Sequence, residues 1–244
     1  MRTYPVYFDL HTHTISSGHG STDTLTDLAK TAAQRGLKSL GISDHGPATV
    51  GSADESYFRN LALAPRERFG VRMFYGVELN ILNLQGDVDL EDELLSALDY
   101  AIISIHPPIF TPWVHRDLTD AYISAMNHPK VRFLGHIDDA RFPVDFDRLL
   151  RAAKEDGVYP EINNGSLSPN AYRAEGHINC PRILEICKQI RLPVLLSSDS
   201  HGKTNVGNME YIFPLLNACN FPMELVLNLY LTTMMKLIIK KGTK

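Results

Sequence analysis

The chain has 244 residues, 44% hydrophobic and 21% charged, long enough to bury a full core as one domain. A formal net charge of -4 argues against a broadly basic nucleic-acid surface and leaves small anionic ligands open. The segment from Met1 to Asp9 lacks a charged start followed by a long apolar run, so no signal peptide is expected and a cytoplasmic location is.

Short apolar runs of the buried-strand type recur in chain order at Val6 to Leu10, Ser39 to Ile42, Val71 to Leu79, Tyr100 to Ile105, Val131 to Leu134, Val158 to Ile162 and Pro193 to Leu196. Helical patterns separate them: Thr24 to Arg35 closed by Gly36, Leu90 to Leu98, Asp117 to Asn127, Asp145 to Glu155 closed by Gly157, and Cys180 to Ile190. The stretch from Phe221 to Ile239 is apolar, but Glu224, Asn228 and Lys236 interrupt it, which predicts a docked C-terminal helix rather than a membrane span. Cys180, Cys187 and Cys219 have no C-x-x-C spacing and are expected to be reduced packing residues.

Alternating strands and helices imply parallel strands with right-handed crossovers, in an open doubly wound sheet or a closed barrel. The polar residues choose between them. Nearly every apolar run ends in ligand-type side chains: Asp9, His11 and His13; Asp44 and His45; Glu78; His106; His136; Asn163 and Asn164; Asp199 and His201. Convergence from every strand suits a closed barrel with its site on the C-terminal rim, so the predicted fold is a distorted seven-stranded (β/α)7 barrel resembling a TIM barrel.

In the run Asp9-Leu-His11-Thr-His13, strand alternation sends all three polar side chains to one side. His19 and His45 sit in Gly-containing loops able to aim a side chain inward. Glu78 and Asp199 end apolar strands, where an ionised carboxylate is costly unless a cation pairs with it; a carboxylate bridging two cations would resolve that cost. His115, His128 and His177 lack this context and are read as ordinary polar residues. Seven histidines with Glu78 and Asp199 give nine candidate ligands dominated by imidazole, which suits zinc first, then iron or manganese, over hard oxygen-seeking ions. Nine ligands with one bridging carboxylate are enough for three ions that keep open positions for water and substrate. Asp9 and Asp44 are candidates for orienting ligands. Arg141, Arg173 and Lys203 fall in predicted rim loops and, with Asn164, are candidate substrate contacts.

The ordered pattern D-L-H-T-H at Asp9 to His13, S-D-H at Ser43 to His45, G-V-E at Gly76 to Glu78 and S-D-S-H at Ser198 to His201 resembles the polymerase-and-histidinol-phosphatase (PHP) superfamily. The added His19, the E-I-N-N at Glu161 to Asn164 and the length resemble its YcdX-like branch of stand-alone phosphatases. The resemblance implies a three-metal centre in which His11, His13, Glu78 and Asp199 hold one ion. Glu78 would bridge to a second held by His106 and His136, and His19, His45 and His201 would hold the third. It departs at Ile137-Asp-Asp-Ala-Arg141, where relatives commonly have a proline after the histidine. It departs again after Asn228, where the Ser-Pro that often follows is missing. The expected activity is hydrolysis of small phosphate esters by a hydroxide bridging two ions. The alternatives are histidinol-phosphate hydrolysis in histidine biosynthesis, a phosphodiesterase or exonuclease acting on nucleic acid, and a non-catalytic metal-binding protein.

Overall fold

The structure is a computed structural model and describes residues 4–18, 20–107, 109–110 and 116–239. In chain order the strands are β1 Phe8–Asp9, β2 Ser39–Ile42, β3 Glu67–Arg68, β4 Val71–Asn80, β5 Tyr100–Ser104, β6 Val131–Leu134, β7 Tyr159–Asn163 and β8 Leu195–Ser197. The helices are α1 Leu25–Gln34, α2 Glu55–Leu61, α3 Asp92–Ala97, α4 Thr119–Ala125, α5 Phe146–Asp156, α6 Gly176–Ile190, α7 Ile212–Ala218 and α8 Leu231–Ile239. Seven strands run parallel in the order β1-β2-β4-β5-β6-β7-β8, and only β3 is antiparallel, forming a hairpin with β4. The result is a nearly closed α/β barrel with helices between its strands.

Local chemistry sets the helix ends. Thr24 and Asp27 form a reciprocal capping box at the start of α1, and Asp145 accepts from the Arg148 amide at the start of α5. Helix α5 closes on Gly157 with φ 68°, a left-handed position that favours glycine. Leu149, Leu150 and Ala153 turn one face of α5 into the core.

The core has two layers. One lies between strands and helices. The other fills the barrel interior with Phe8, Leu10, Phe74, Tyr100, Ile102 and Phe133. Tyr100 donates to the Leu10 carbonyl at 2.5 Å. A Cβ on Gly41 would strike the Tyr100 hydroxyl, and one on Gly76 its ring, so the barrel floor needs glycine on both neighbouring strands.

The barrel closes unconventionally between β1 and β8. Thr12 and Ser200 form a single parallel bridge, with the His13 amide donating to the Ser200 carbonyl at 2.8 Å. Below it, the fully buried side chain of Asn228 takes the place of a strand. Its amide donates to the carbonyls of Phe8 at 2.9 Å and Leu196 at 2.8 Å, and its oxygen accepts from the Leu196 amide at 2.7 Å. The expected helix from Phe221 to Ile239 is therefore shorter. Only α8 is an α-helix, because the preceding residues make short turns that deliver Asn228 to the seam. Helices α2 and α7 and the β3 hairpin were not predicted. Among the described residues no helix is long and apolar enough to cross a membrane, and the three cysteines are free, with Cys180 and Cys187 buried.

Candidate metal centre

The C-terminal ends of the strands bring eight of the nine predicted ligands together; His19, like His115, lies outside the described residues. Glu78 is the hub. Its Oε2 lies 3.3 Å from His11 Nε2, 3.5 Å from His13 Nε2 and 2.8 Å from His45 Nδ1. Its Oε1 lies 3.3 Å from His106 Nε2 and 2.9 Å from His136 Nε2, and accepts from Ser104 at 2.7 Å. Asp199 Oδ1 faces the same space, 3.5 Å from His11 Nε2, 3.2 Å from His13 Nε2 and 3.6 Å from His201 Nδ1. Three overlapping groups have metal-ligand spacing: His11 with His13 and Glu78; His45 with Glu78 and His106; and His13 with His45 and His201. His45 thus stands beside Glu78 as well as beside His201.

Partners behind the rings fix which nitrogen points inward. His11 Nδ1 lies 3.0 Å from Glu161 Oε1; burial disfavours that carboxylate, but His11 holds its pKa below the usual value, so it is an ionised acceptor and Nδ1 carries the proton. His13 Nδ1 lies 2.8 Å from Ser17 Oγ, whose own proton goes to Asp44 at 2.7 Å. Asp44 is held in turn by Thr14, at 2.6 Å from its amide and 2.8 Å from its hydroxyl, and by the Tyr57 hydroxyl. His106 Nδ1 donates to Asn80 Oδ1 at 2.8 Å, and Asp89 sets the Asn80 amide by accepting from Nδ2 at 2.6 Å. Each relay ends in a carboxylate and aims Nε2 at Glu78, Asp199 or another ring, as a lone pair on His13 and His106 and, where a cation takes the place of its proton, on His11.

Two of the inward rings are neutral. Burial and the neighbouring His201 and His45 push His13 well below the ordinary histidine value, and burial lowers His106 despite Glu78, so both rings are neutral. His106 Nε2 and His136 Nε2 are 3.1 Å apart. His11 Nε2, His13 Nε2, Glu78 Oε2 and Asp199 Oδ1 are buried and make no hydrogen bond. Burial opposes the charge on Glu78 and Asp199, yet both stay well below the usual carboxylate range. The rings of His11, His106 and His45 hold Glu78 there, and Arg173 and His11 hold Asp199. Converging imidazole nitrogens and ionised carboxylates, with His11 the ring that carries extra positive charge among them, fit divalent cations of the transition series.

Two of the ligands have strained backbone. His136 has φ 29° and Asp199 φ 50°, both left-handed and unfavourable for a residue with a Cβ. Glu161 Oε2 holds the His136 amide at 3.1 Å, and Asn163 holds Asp199 Oδ2 at 3.0 Å.

The predicted outer residues separate. Asp9 accepts from the His11 amide at 3.4 Å, from Ser198 and from the Gly207 amide at 2.8 Å, fixing the loop that leads to Asp199. Arg173 is committed to Asp199 Oδ2 at 2.6 Å, with burial outweighed by Asp199, Asp138 and Glu161, which raise its pKa. Arg141 forks onto Asp139, and Lys203 pairs with Asp23 at 3.1 Å outside the cavity wall. Asn164 lines the cavity and accepts from the Tyr211 amide at 2.9 Å. Glu161, Ser17, Asn80, Asp89 and Tyr57 were not singled out from sequence for these contacts. Glu161 carried the same signal as Glu78, a carboxylate within an apolar strand. A cavity of about 1070 Å³ opens above the cluster, reaching from His45, His106 and His136 to Tyr172 and Tyr211.

Fold and rim together define the class: a parallel α/β barrel with a buried imidazole and carboxylate cluster of the metal-ligating kind at its C-terminal face. The family model described as the PHP domain matches residues 9–165, and the chain belongs to that family. A probable phosphatase of Clostridium acetobutylicum is 41% identical over 220 residues, covering 90% of this chain and 89% of that one. A probable phosphatase of Photobacterium profundum is 35% identical over 236 residues, covering 97% and 95%. Among solved structures, histidinol phosphate phosphatase from Lactococcus lactis, complexed with zinc, L-histidinol and phosphate, superimposes with a TM-score of 0.61 at 16% identity. That match covers 89% of this chain and 95% of the other. A chain in the cryo-EM structure of archaeal ribonuclease P with mature tRNA gives 0.59 at 14%, covering 97% and 96%. At such identities these two share the fold.

Proposed function

We propose that this chain is a metal-dependent phosphatase that hydrolyses small phosphate monoesters at a three-ion centre, with zinc the first choice of metal and iron or manganese able to substitute. The carrying observation is the convergence of His11 Nε2, His13 Nε2, Glu78 Oε2 and Asp199 Oδ1, buried and without hydrogen bonds, beside His106, with His11, His13 and His106 aimed by the partners behind their rings. Relatives at 41% and 35% identity spanning nearly the whole chain bear the phosphatase name, and the class of the chain is a phosphoesterase hydrolase. His11, His13, Glu78 and Asp199 would hold one ion, Glu78 with His106 and His136 a second, and His45 and His201 with His19 the third. The contact between His45 and Glu78 would tie the third position to the bridge.

Bound ions would supply Lewis-acid activation of water and neutralisation of phosphoryl charge. The side chains do the rest. Glu161, Ser17 and Asn80 hold the outer nitrogens of His11, His13 and His106 and so aim Nε2 inward, Arg173 offsets the charge of Asp199, and the surrounding apolar strands exclude bulk water. With water activated in this way no side-chain general base is required. A monoester is favoured over a nucleic-acid diester because Arg141 and Arg173, the cations along the described cavity wall, are both committed to carboxylates and form no basic groove. The free cysteines are consistent with action in the cytoplasm.

Metal analysis of purified protein, combined with hydrolysis of an aryl phosphate and of a bis-aryl phosphodiester, tests this function. Turnover of the monoester by metal-loaded protein is expected, and loaded protein inert toward both would refute it.

A further inference from the structure

The cavity is far larger than a phosphoryl group, so its wall has room to meet the leaving group of a substrate. One feature of that wall is out of keeping with its position. Tyr172 is 77% exposed, a large aromatic at the cavity mouth with little packing of its own. It is nonetheless held. The Arg141 guanidinium carbon lies 4.4 Å from its ring centroid, within cation–π distance. Arg141 is itself locked onto the buried Asp139, with Nε 2.9 and 3.1 Å from the two carboxylate oxygens and Nη2 2.5 Å from one of them. Asp139 is anchored to the backbone of the same loop pair by the Ala174 amide at 3.3 Å.

The stack Asp139, Arg141, Tyr172 therefore runs from the buried rim outward and ends in an aromatic ring. Arg141 covers one face of the ring, and the exposure of the side chain leaves the other available. A salt-bridged guanidinium beneath an aromatic fixes the ring at little further entropic cost on binding, as a preformed platform requires. This arrangement also gives Arg141 a use other than gripping phosphate, since its fork is already taken by Asp139.

We propose that Tyr172 is a specificity-determining residue, a platform that stacks against a planar ring in the leaving group, so that the preferred substrates are phosphate monoesters of ring-bearing alcohols. The inference rests on the phosphatase function proposed above.

The test compares benzyl phosphate with ethyl phosphate, two esters of primary alcohols that differ by the planar ring, on wild type, Tyr172→Ala and Tyr172→Phe. The quantity read is the ratio of kcat/KM for benzyl over ethyl phosphate. Tyr172→Ala should lower that ratio roughly three- to tenfold, mainly through KM for the benzyl ester, as loss of one aromatic contact predicts. Tyr172→Phe should lower it less than Tyr172→Ala, because the ring remains although the hydroxyl's contact with Arg141 is lost. A ratio unchanged in Tyr172→Ala, or lowered as much in Tyr172→Phe, overturns the platform while leaving phosphatase activity intact. Wild-type protein that is metal-loaded but hydrolyses neither ester overturns the phosphatase function itself, and the two failures are thereby distinct.

Discussion

Replacing Glu161 by Gln tests the site without changing its shape. The carboxylate is fully buried and accepts from four donors. Its Oε1 takes His11 Nδ1 at 3.0 Å, Asn163 Nδ2 at 2.8 Å and the Ser197 hydroxyl, and its Oε2 takes the His136 amide at 3.1 Å. A glutamine must put an NH2 in one of these places. Facing three donors is worse than facing one, so the amide nitrogen goes to the Oε2 position and the buried His136 N–H loses its acceptor. An orphaned buried donor costs about 1–3 kcal/mol. It falls on a residue whose left-handed backbone Glu161 helps to hold. On the other side, His11 keeps an acceptor but loses the negative charge that makes its inward nitrogen a strong donor. Loss of such a partner weakens metal binding by roughly 10- to 100-fold. Zinc titration against a competing chelator should show this rise in apparent Kd, and thermal melting of the metal-free protein should show a drop of several degrees. Unchanged zinc affinity together with wild-type turnover would refute the role given to Glu161.

Three further outcomes are expected. Asp89→Ala removes one of two acceptors of Asn80 Nδ2, leaving Thr49 Oγ1 at 3.0 Å, together with the acceptor for the Asn80 amide and for the Ala48 amide at 3.0 Å, and so loosens Asn80 behind His106. Zinc analysis after dialysis should show the ion proposed at His106 bound roughly tenfold less tightly. Asn228→Ala leaves the Leu196 amide and two buried carbonyls without partners at the seam, a loss of roughly 2–5 kcal/mol, read as a lower urea midpoint at unchanged slope. Asp139 is disfavoured by burial, but the Arg141 fork holds its pKa below the ordinary carboxylate value of 3.8. Its stabilisation is thus present above that value and lost as pH falls through the lower folded one. The melting-temperature gap between wild type and Arg141→Ala should be constant near neutrality and narrow below pH about 4; a gap that widens there would contradict the pairing.

The barrel was legible because its strands are buried on both faces and so read as unbroken apolar runs, and because polar residues occur where those runs stop. Glu78 and Asp199 stood out for the same reason. What was not legible depends on contacts between residues far apart in the chain. Nothing local in Leu227-Asn228-Leu229 says that one amide will close a barrel between Phe8 and Leu196, and the apolar stretch around it reads as helix. Nor does Asp89, in a polar loop after β4, announce that it sets the amide behind His106. Arg141 and Arg173 looked alike as rim cations, yet one supports an aromatic ring and the other balances a ligand carboxylate. Side-chain commitment of that kind is a property of the packed state.

Charge explains why the rim is built as it is. Glu78, Glu161 and Asp199 are all fully buried or nearly so, all hold pKa values below the ordinary range, and converge with Arg173 as the fixed cation in contact with Asp199. Unmatched charge at that depth would cost several kcal/mol per group. The protein without metal meets part of that cost by drawing protons onto His11, whose pKa stands well above the ordinary histidine value despite burial because Glu161, Glu78 and Asp199 surround it. Divalent ions would replace that proton, so their uptake should release protons, and it should release fewer in Glu161→Gln, where one of the three carboxylates holding the His11 proton is gone. Proton release measured in weakly buffered solution on zinc addition, equal in the two proteins, would show that His11 is not where the missing charge is stored.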